Sequence, residues 1–303
     1  MKHILIAGGS GLVGTQLTQL LIAQGHSVAW LTRNASKPNK FNVPCFAWDI
    51  NQQTIDANAF EKCDVVINLA GEGIADKRWT NTRKQLIIDS RVLSTQLLVN
   101  YLNTKPHHVT AFVGASAVGY YGATTHTQVL TETTVAATDF LGTCCLAWEN
   151  EIVKLQNIRT AILRIGIVLT AKGGALPQMA MPVKLFVGSA LGTGNQNVPW
   201  IHINDLCDMF AQASIKANYN GIYNAVAPTA EQCSNTQFTR AIAQQLHRPF
   251  WPISVPTFAL KLIVGEMAAV VVNGNIISNA KIENEDFVYQ YPTLGIALKN
   301  LLA

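Results

Sequence analysis

The stretch that most constrains this chain is Gly8-Gly9-Ser10-Gly11-Leu12-Val13-Gly14. It closes a short apolar run ending in glycine, HILIAG at 3–8. It opens GLVGTQLTQLLIAQG at 11–25, where Leu12, Val13, Leu17, Leu20 and Leu21 recur at helical spacing and Gly25 supplies a stop. Strand, glycine turn and helix in that order make a phosphate cradle. Small residues let the backbone approach a pyrophosphate, and the first helical turn offers unpaired N–H groups and the positive end of its dipole. A glycine pattern alone is weak; the strand before it and the helix after it give it meaning. The spacing Gly8-x-x-Gly11-x-x-Gly14 therefore predicts a dinucleotide site at which Gly8, Ser10, Gly11, Leu12, Val13 and Gly14 meet the phosphates.

The same alternation continues along the chain. SVAWLTR (27–33), CFAWDI (45–50), DVVINLAG (64–71), HVTAFVGAS (108–116) and RTAILRIGIVL (159–169) read as strands. TNTRKQLIIDSRVLSTQLLVNYLN (80–103) reads as a long helix with Leu86, Leu93, Leu97 and Tyr101 on one stripe, and DFLGTCCLAWENE (139–151) as another helix. Apolar strands alternating with helices predict an α/β chain with a Rossmann-type, doubly wound parallel sheet covered on both faces. With 303 residues, 49% of them apolar and 13% charged, the chain can fill a large core and carry a lobe beside it. After about residue 170 glycine and proline increase. We expect 1–170 to form the nucleotide-binding domain, with 200–227 returning to its sheet. Segments 171–199 and 228–303 then build a smaller C-terminal α/β cap or substrate lobe.

Several classes of function are disfavoured. Net charge is +4 with no block of Lys or Arg, so no nucleic-acid partner is expected. None of the six cysteines forms C-x-x-C or a histidine-spaced pattern, which predicts no metal and reduced thiols in a cytoplasmic protein. The first apolar run is too short for a leader. VPTFALKLIVGEMAAVVVNG (255–274) contains Lys261 and Glu266, so it reads as a core or cap helix rather than a membrane span. The sequence does not reveal an oligomeric state.

The cofactor is decided at the end of the second strand. An NAD site places a carboxylate there for the ribose 2′-hydroxyl. Here no Asp or Glu precedes Asp49, and Thr32-Arg33 stand in that place with Lys37 and Lys40 nearby. A guanidinium can bond two oxygens of a 2′-phosphate at once, and charge-assisted bonds of this kind contribute about 1.5–3 kcal/mol each. NADP(H) is the expected cofactor. Leu69, Ala70 and Gly71 close a later strand at the carboxyl edge, beside the adenosine ribose and pyrophosphate.

With these residues in hand, the chain resembles the short-chain dehydrogenase/reductase superfamily in its extended, epimerase-like form. NLAGEGIADKRWT, KQLIIDSRV, SAVGYYG, LAWENE, LRIGIVL, PWIHINDL and VVVNGN…KIENEDFVYQYPTLGIALKNLL extend the likeness over essentially the whole chain. They resemble NAD-dependent epimerase/dehydratase-like bacterial proteins that end in a small C-terminal domain of unknown function. Those were long labelled nucleoside-diphosphate-sugar epimerases or cell-division-inhibitor-like proteins. The resemblance implies bound NADP(H) and a small-molecule substrate. It points to Thr32, Arg33, Leu69 and Ala70, to Arg91 near the cofactor, and to Thr170 near the nicotinamide side. Arg91 either reaches the cofactor or pairs on the helix surface with Asp89.

The chain departs from the superfamily where proton transfer is usually done. Reductases of this kind use Tyr-x-x-x-Lys on a helix, with a glutamate commonly four residues on. With Glu149 as the anchor, the tyrosine position falls on Leu141 and the lysine position on Cys145. Tyr101…Lys105 has the spacing but lies at the end of the preceding helix. The usual serine position falls on Ala117, next to Ser116. Candidate catalytic groups are therefore Tyr120, Tyr121 and Ser116, with Glu132 on the approaching loop; each either acts as the acid or only hydrogen-bonds the loop. His202 is expected to be structural, Asp205 to cap the next helix, and Trp200 to line the cleft. Two functions follow: an NADP(H)-dependent oxidoreductase or epimerase-like enzyme, or an NADP(H)-binding regulator or scaffold without turnover. True sugar-nucleotide epimerisation needs tightly held NAD and a basic tyrosine, and the sequence argues against both.

Overall fold

The computed structural model describes residues 1–123 and 128–303. The N-terminal apolar runs become parallel strands: β1 (His3–Ala7), β2 (Ser27–Thr32), β3 (Cys45–Asp49), then a short β4 (Thr54–Ile55), β5 (Val65–Asn68), β6 (Ala111–Ala117) and β7 (Arg159–Ile165). Three helices connect them: α1 (Leu12–Ala23), α2 (Asn81–Thr104) and α3 (Phe140–Ile152). Gly25 follows α1 at φ +81°, the left-handed conformation that ends helices.

Strand β7 is the front half of the run 159–169. Gly166 breaks that run, and β8 (Ile167–Leu169) leaves the main sheet. There follow α4 (Ala175–Lys184), β9 (Ser189–Leu191), β10 (Asn197–Val198), β11 (Trp200–His202), α5 (Ile203–Ile215) and β12 (Gly221–Ala225). Strand β12 pairs with β7 at the sheet edge, giving the eight-stranded order β12-β7-β6-β5-β1-β2-β3-β4. Every pairing in it is parallel except β3 with β4. This is the Rossmann-like, doubly wound α/β architecture. The order reverses at β1, so ligands belong in the crevice outside the carboxyl ends of β1 and β5.

The main core lies between the sheet and its helices. Ile4, Ile6, Val65, Ile67, Phe112 and Leu163 are fully buried, as β-branched and aromatic residues are when a parallel sheet is covered on both faces. Of the stripe expected on α2, Leu97 is buried and Tyr101 packs on the core, but Leu86 is 47% exposed, and Ile87, Ser90, Ser94, Leu98 and Leu102 also face inward. The inward face includes small hydroxyl residues because α3 packs closely there. Thr95 accepts hydrogen bonds from Asn68 Nδ2 at 2.9 Å and from Trp148 Nε1 at 3.0 Å, tying β5, α2 and α3 together.

A second core holds Leu176, Val183, Trp200, Phe238, Ile242 and Leu298. It is built by α4, β8, β10 and β11 with β13 (Cys233–Ser234), α6 (Asn235–Gln245) and α10 (Leu294–Leu302). Between α6 and α10 run β14 (Trp251–Val255), α7 (Thr257–Val264), α8 (Ala268–Val272) and α9 (Ala280–Glu283), whose Ile282 belongs to the main core. Trp200 is fully buried in the second core with Nε1 on the Glu231 carbonyl, so it does not line a cleft. The apolar segment 255–274 is not one core helix. Gly265 (φ +66°) divides it, and Phe258, Leu262 and Ile263 of α7 stand exposed. This segment meets the loop after β5 and the first turn of α2: Arg78 Nη2 donates to the Leu262 carbonyl at 3.2 Å, and Lys84 pairs with Glu266. Among the described residues no helix is long and apolar enough to cross a membrane.

Candidate functional site

The glycine loop is held by contacts that leave no room for side chains. Gly8 sits at φ +83°, and a Cβ there would lie 2.9 Å from the Leu69 carbonyl carbon. A Cβ on Gly14 would lie 2.3 Å from the Gly8 oxygen, so α1 can start this close to the turn only with glycine there. Gly11 N donates to the Gly8 carbonyl at 3.0 Å. No side chain caps α1 and no acid stands in its first turn, so its positive end is left for an anion. Trp30 of β2, not singled out from sequence, braces the loop. Its Nε1 donates to Thr18 Oγ1 at 2.9 Å, and Thr18 donates to the Gly14 carbonyl at 2.8 Å.

Arg33 follows β2 directly, exposed, with no ion pair or hydrogen bond to its guanidinium among the described residues. It borders a cavity of about 600 Å³ with Asp49, Leu86 and Ser90. The Thr32 hydroxyl accepts from Asn34 N at 3.3 Å. Across β1, Leu69 N donates to the Ala7 carbonyl and Ala70 N to Asn68 Oδ1, both fixing the turn beside the loop. Leu86, expected on the apolar stripe of α2, forms part of the cavity wall.

At the ends of β6 and β7 the structure forms a buried polar network. Arg164, 1% exposed, donates from Nε to Glu149 Oε1 and from Nη2 to Glu149 Oε2, both at 2.8 Å. Ser116 Oγ donates to Glu149 Oε1 at 2.6 Å. Arg164 Nη1 donates to the Tyr121 hydroxyl at 3.0 Å, which itself donates to Asn224 Oδ1 at 2.7 Å. Glu132 closes the far side, its carboxylate accepting from Asn224 N and its carbonyl from Arg164 Nη1. Burial pushes the Tyr121 phenol up to about 12, although Arg164 pulls the other way. Burial disfavours the Arg164 charge, but its bonds to Glu149 more than compensate and hold it above the ordinary arginine range.

This network separates the candidate catalytic residues. The hydroxyls of Ser116 and Tyr121 are both engaged inside the protein, and so is Glu132. Tyr120 differs: it is only partly buried, its ring lies on the Arg164 guanidinium with Cζ 3.4 Å from the centroid, and its hydroxyl makes no hydrogen bond among the described residues. Leu141 and Cys145 are buried under Gly119, whose added Cβ would meet them at 3.3 and 3.7 Å. The signal for the network was present in sequence, as a lone arginine inside the apolar run RTAILRIGIVL.

Arg91 does not pair with Asp89, which accepts from Gln85 at 2.8 Å. Its Nη1 donates to the Ile87 carbonyl at 3.0 Å, and its guanidinium lies 5.2 Å over the Trp148 ring and against Gly71. Thr170 is buried, its hydroxyl accepting from Lys172 N at 3.2 Å. Lys172 reaches Gln16 of α1, and Gly174 approaches Leu12, so this turn closes over the start of the first helix. His202 rather than Asp205 caps α5, its Nδ1 accepting from Asn204 N. Asp205 accepts from Gln290 N and Tyr291 N and so ties α5 to the C-terminal segment. Among the described residues no group of His, Cys, Asp or Glu could hold a metal, and all six cysteines are free.

The chain shares its sequence pattern and its fold with known proteins. A sequence model of the NAD dependent epimerase/dehydratase family matches residues 4–225, and one for a domain of unknown function (DUF1731) matches residues 255–301. The Bacillus subtilis epimerase family protein YfhF is 34% identical over 99% of this chain and 98% of its own length. The crystal structure of human epimerase family protein SDR39U1 (isoform 2), solved with NADPH, superposes at a TM-score of 0.88. It is 31% identical, covering 99% of this chain and 98% of that one. A structure described as a nucleoside-diphosphate sugar epimerase from Corynebacterium glutamicum superposes at 0.79 with 30% identity, over 99% of this chain and 58% of its own.

Proposed function

Because the chain belongs to the NAD-dependent epimerase/dehydratase family, we propose that it binds NADP(H) across the carboxyl edge of β1, β2 and β5. In this reading the pyrophosphate lies on the uncapped start of α1 and the adenosine enters the cavity beside β3. The carrying observation is Arg33: a guanidinium without a partner among the described residues, at the end of β2, where an NAD site has a carboxylate. The NADPH held by the human relative supports it.

The protein then acts as a cytoplasmic oxidoreductase on a small carbonyl compound held between the sheet edge and the C-terminal lobe. Bound there, the cofactor supplies a hydride from nicotinamide C4. We assign proton donation to Tyr120, whose hydroxyl is outside the buried network while Arg164 holds its ring. Neither nucleic acid nor a membrane is a partner in this reading.

Buried Leu141 and Cys145 favour a second reading, in which the cofactor is bound without turnover. Calorimetry with NADPH and NADH tests the binding. Consumption of NADPH, followed by absorbance over a panel of aldehydes and ketones, separates the two readings. Preferential NADPH binding with consumption supports the enzyme, binding without any consumption supports the second reading, and equal affinity for NADH sinks the assignment to Arg33.

A further inference from the structure

We propose that α7 and the turn after it form a strap that holds the loop between β5 and α2 shut over the nicotinamide half of the bound dinucleotide, so that the C-terminal segment sets how fast the cofactor leaves. The inference rests on the cofactor reading above and goes beyond it by giving residues 257–272 a task. Loop 71–80 leaves the carboxyl end of β5, the edge at which ligands lie in such a sheet. It reaches the start of α3, where the Trp79 ring meets Phe140 edge-on with centroids 4.8 Å apart. Phe140 is next to Leu141, which stands at the position of the superfamily's tyrosine. The loop therefore spans the crevice on the nicotinamide side.

Three bonds make this loop a preformed flap. Trp79 Nε1 donates to the Ile74 carbonyl at 2.8 Å, and Arg83 donates to Glu72 Oε2 at 3.0 Å and to the Gly73 carbonyl at 2.6 Å. Residues 75–78 are exposed. Apart from contacts with α2, the flap's hydrogen bond to the rest of the described chain is that of Arg78 to the Leu262 carbonyl. Arg83 is 9% exposed, and its Nε is buried without a hydrogen-bond partner among the described residues. Asp76 Oδ2 stands 3.9 Å from Arg83 Nη2, beyond bonding distance. A small inward shift of the flap brings that carboxylate onto the guanidinium, so the flap has further to close.

The strap is fixed at its ends and shallow in the middle. Before it, β14 pairs with β9 at Trp251 and Val255. After it, the Val271 carbonyl accepts from buried Gln196 Nε2 at 2.8 Å. Between them α7 buries Leu260 and leaves Phe258, Leu262 and Ile263 exposed. A segment with so little apolar burial is among the first to open. Two polar contacts tie it down, the Leu262 carbonyl to Arg78 of the flap and Glu266 to Lys84 of α2. Gly265, at φ +66°, turns the chain between them, and a Cβ there would lie 3.3 Å from Arg78 Nε. A lid held in this way keeps water from the reacting end of the cofactor and delays its release.

The test uses the full chain loaded with NADPH and chased with excess NADP⁺ in a stopped-flow fluorimeter, which reads the dissociation rate. Arg78→Ala and Glu266→Gln should each raise that rate by about fivefold or more. Both should leave the affinity for 2′,5′-ADP within about twofold in calorimetry, because that ligand lacks the half beneath the flap. Lys84→Glu should act like Glu266→Gln, and Lys84→Glu with Glu266→Lys should return the rate to within about twofold of the parent. In the parent, hydrogen exchange at 72–79 should slow by about tenfold or more when NADPH binds, a measurement that decides the matter should a variant lose its folded Tm. Unchanged dissociation in Arg78→Ala and Glu266→Gln overturns the strap. So does a folded charge-reversed pair that fails to recover, an equal weakening of 2′,5′-ADP, or exchange at 72–79 that ignores NADPH. A parent protein that binds neither ligand overturns the cofactor reading and this inference together; loss of the strap effects alone leaves the cofactor reading standing.

Discussion

Glu149 of α3 and Arg164 of β7 form a two-bond ion pair inside the protein, each bond 2.8 Å long and both residues under 5% exposed. The pair fixes the helix against the strand at the level where the nicotinamide side of the site is expected. Removing one partner leaves a buried charge uncompensated, which costs about 3–5 kcal/mol. Glu149→Gln and Arg164→Met should each lower unfolding free energy by about that amount in urea titrations. Glu149→Leu combined with Arg164→Met should cost less than the two single changes summed.

Tyr120 and Tyr121 are adjacent in sequence but differ in what their hydroxyls do. Tyr121→Phe strands Asn224 Oδ1 and leaves Arg164 Nη1 with the Glu132 carbonyl, and should lower stability by about 1–3 kcal/mol while leaving NADPH consumption largely intact. Tyr120→Phe should leave stability nearly unchanged and slow turnover by about 10²-fold or more. The reverse pattern would remove Tyr120 from the mechanism.

Arg33→Gln should bring NADPH affinity down to that for NADH, a loss of about tenfold or more, since the charge-assisted bonds to the 2′-phosphate go and nothing replaces them. Competition between the two nucleotides in calorimetry reads the ratio directly. An unchanged ratio would place the phosphate elsewhere.

Two buried groups at the start of α5 titrate in opposite senses. Burial holds His202 down at about 4, with the Asn300 bond opposing. Between pH 6.5 and 4 the unfolded chain therefore takes a proton that the folded chain refuses, and stability falls as pH falls. Burial raises Asp205 to about 6, against the pull of the Gln290 and Tyr291 N–H groups. Its contribution is fully present below about pH 3.8 and is lost as pH rises through about 6. The two slopes oppose each other between pH 4 and 6. Tm measured over that range should fall less steeply on acidification in His202→Asn, which keeps a helix-capping acceptor, and more steeply in Asp205→Asn. Parallel curves for all three proteins would refute the assignment.

Gly9→Ala would put a methyl 2.3 Å from the Trp30 ring, which is itself bonded through Thr18 to the loop. The variant should lose about 1–3 kcal/mol of stability and bind NADPH more weakly, since the ring can move only by disturbing the loop. Thermal melts with and without NADPH measure both.

Sequence alone determined the glycine loop between β1 and α1, the alternation that makes a parallel sheet, the family, the missing Tyr-x-x-x-Lys and the arginine at the end of β2. Those features are written in short stretches, because turn chemistry and apolar periodicity act over a few residues. Tertiary structure decided which face of α2 is inward, since Ser90, Ser94 and Thr95 face α3 and no apolar stripe marks them. It also decided that Tyr121 is locked while Tyr120 is not, that His202 rather than Asp205 caps α5, and that Arg91 lies on Gly71. Each of these depends on partners brought together from distant parts of the chain — Asn224 against Tyr121, Tyr291 against Asp205, Gly71 against Arg91 — and the angle at which they meet is set only when the sheet and both cores have closed.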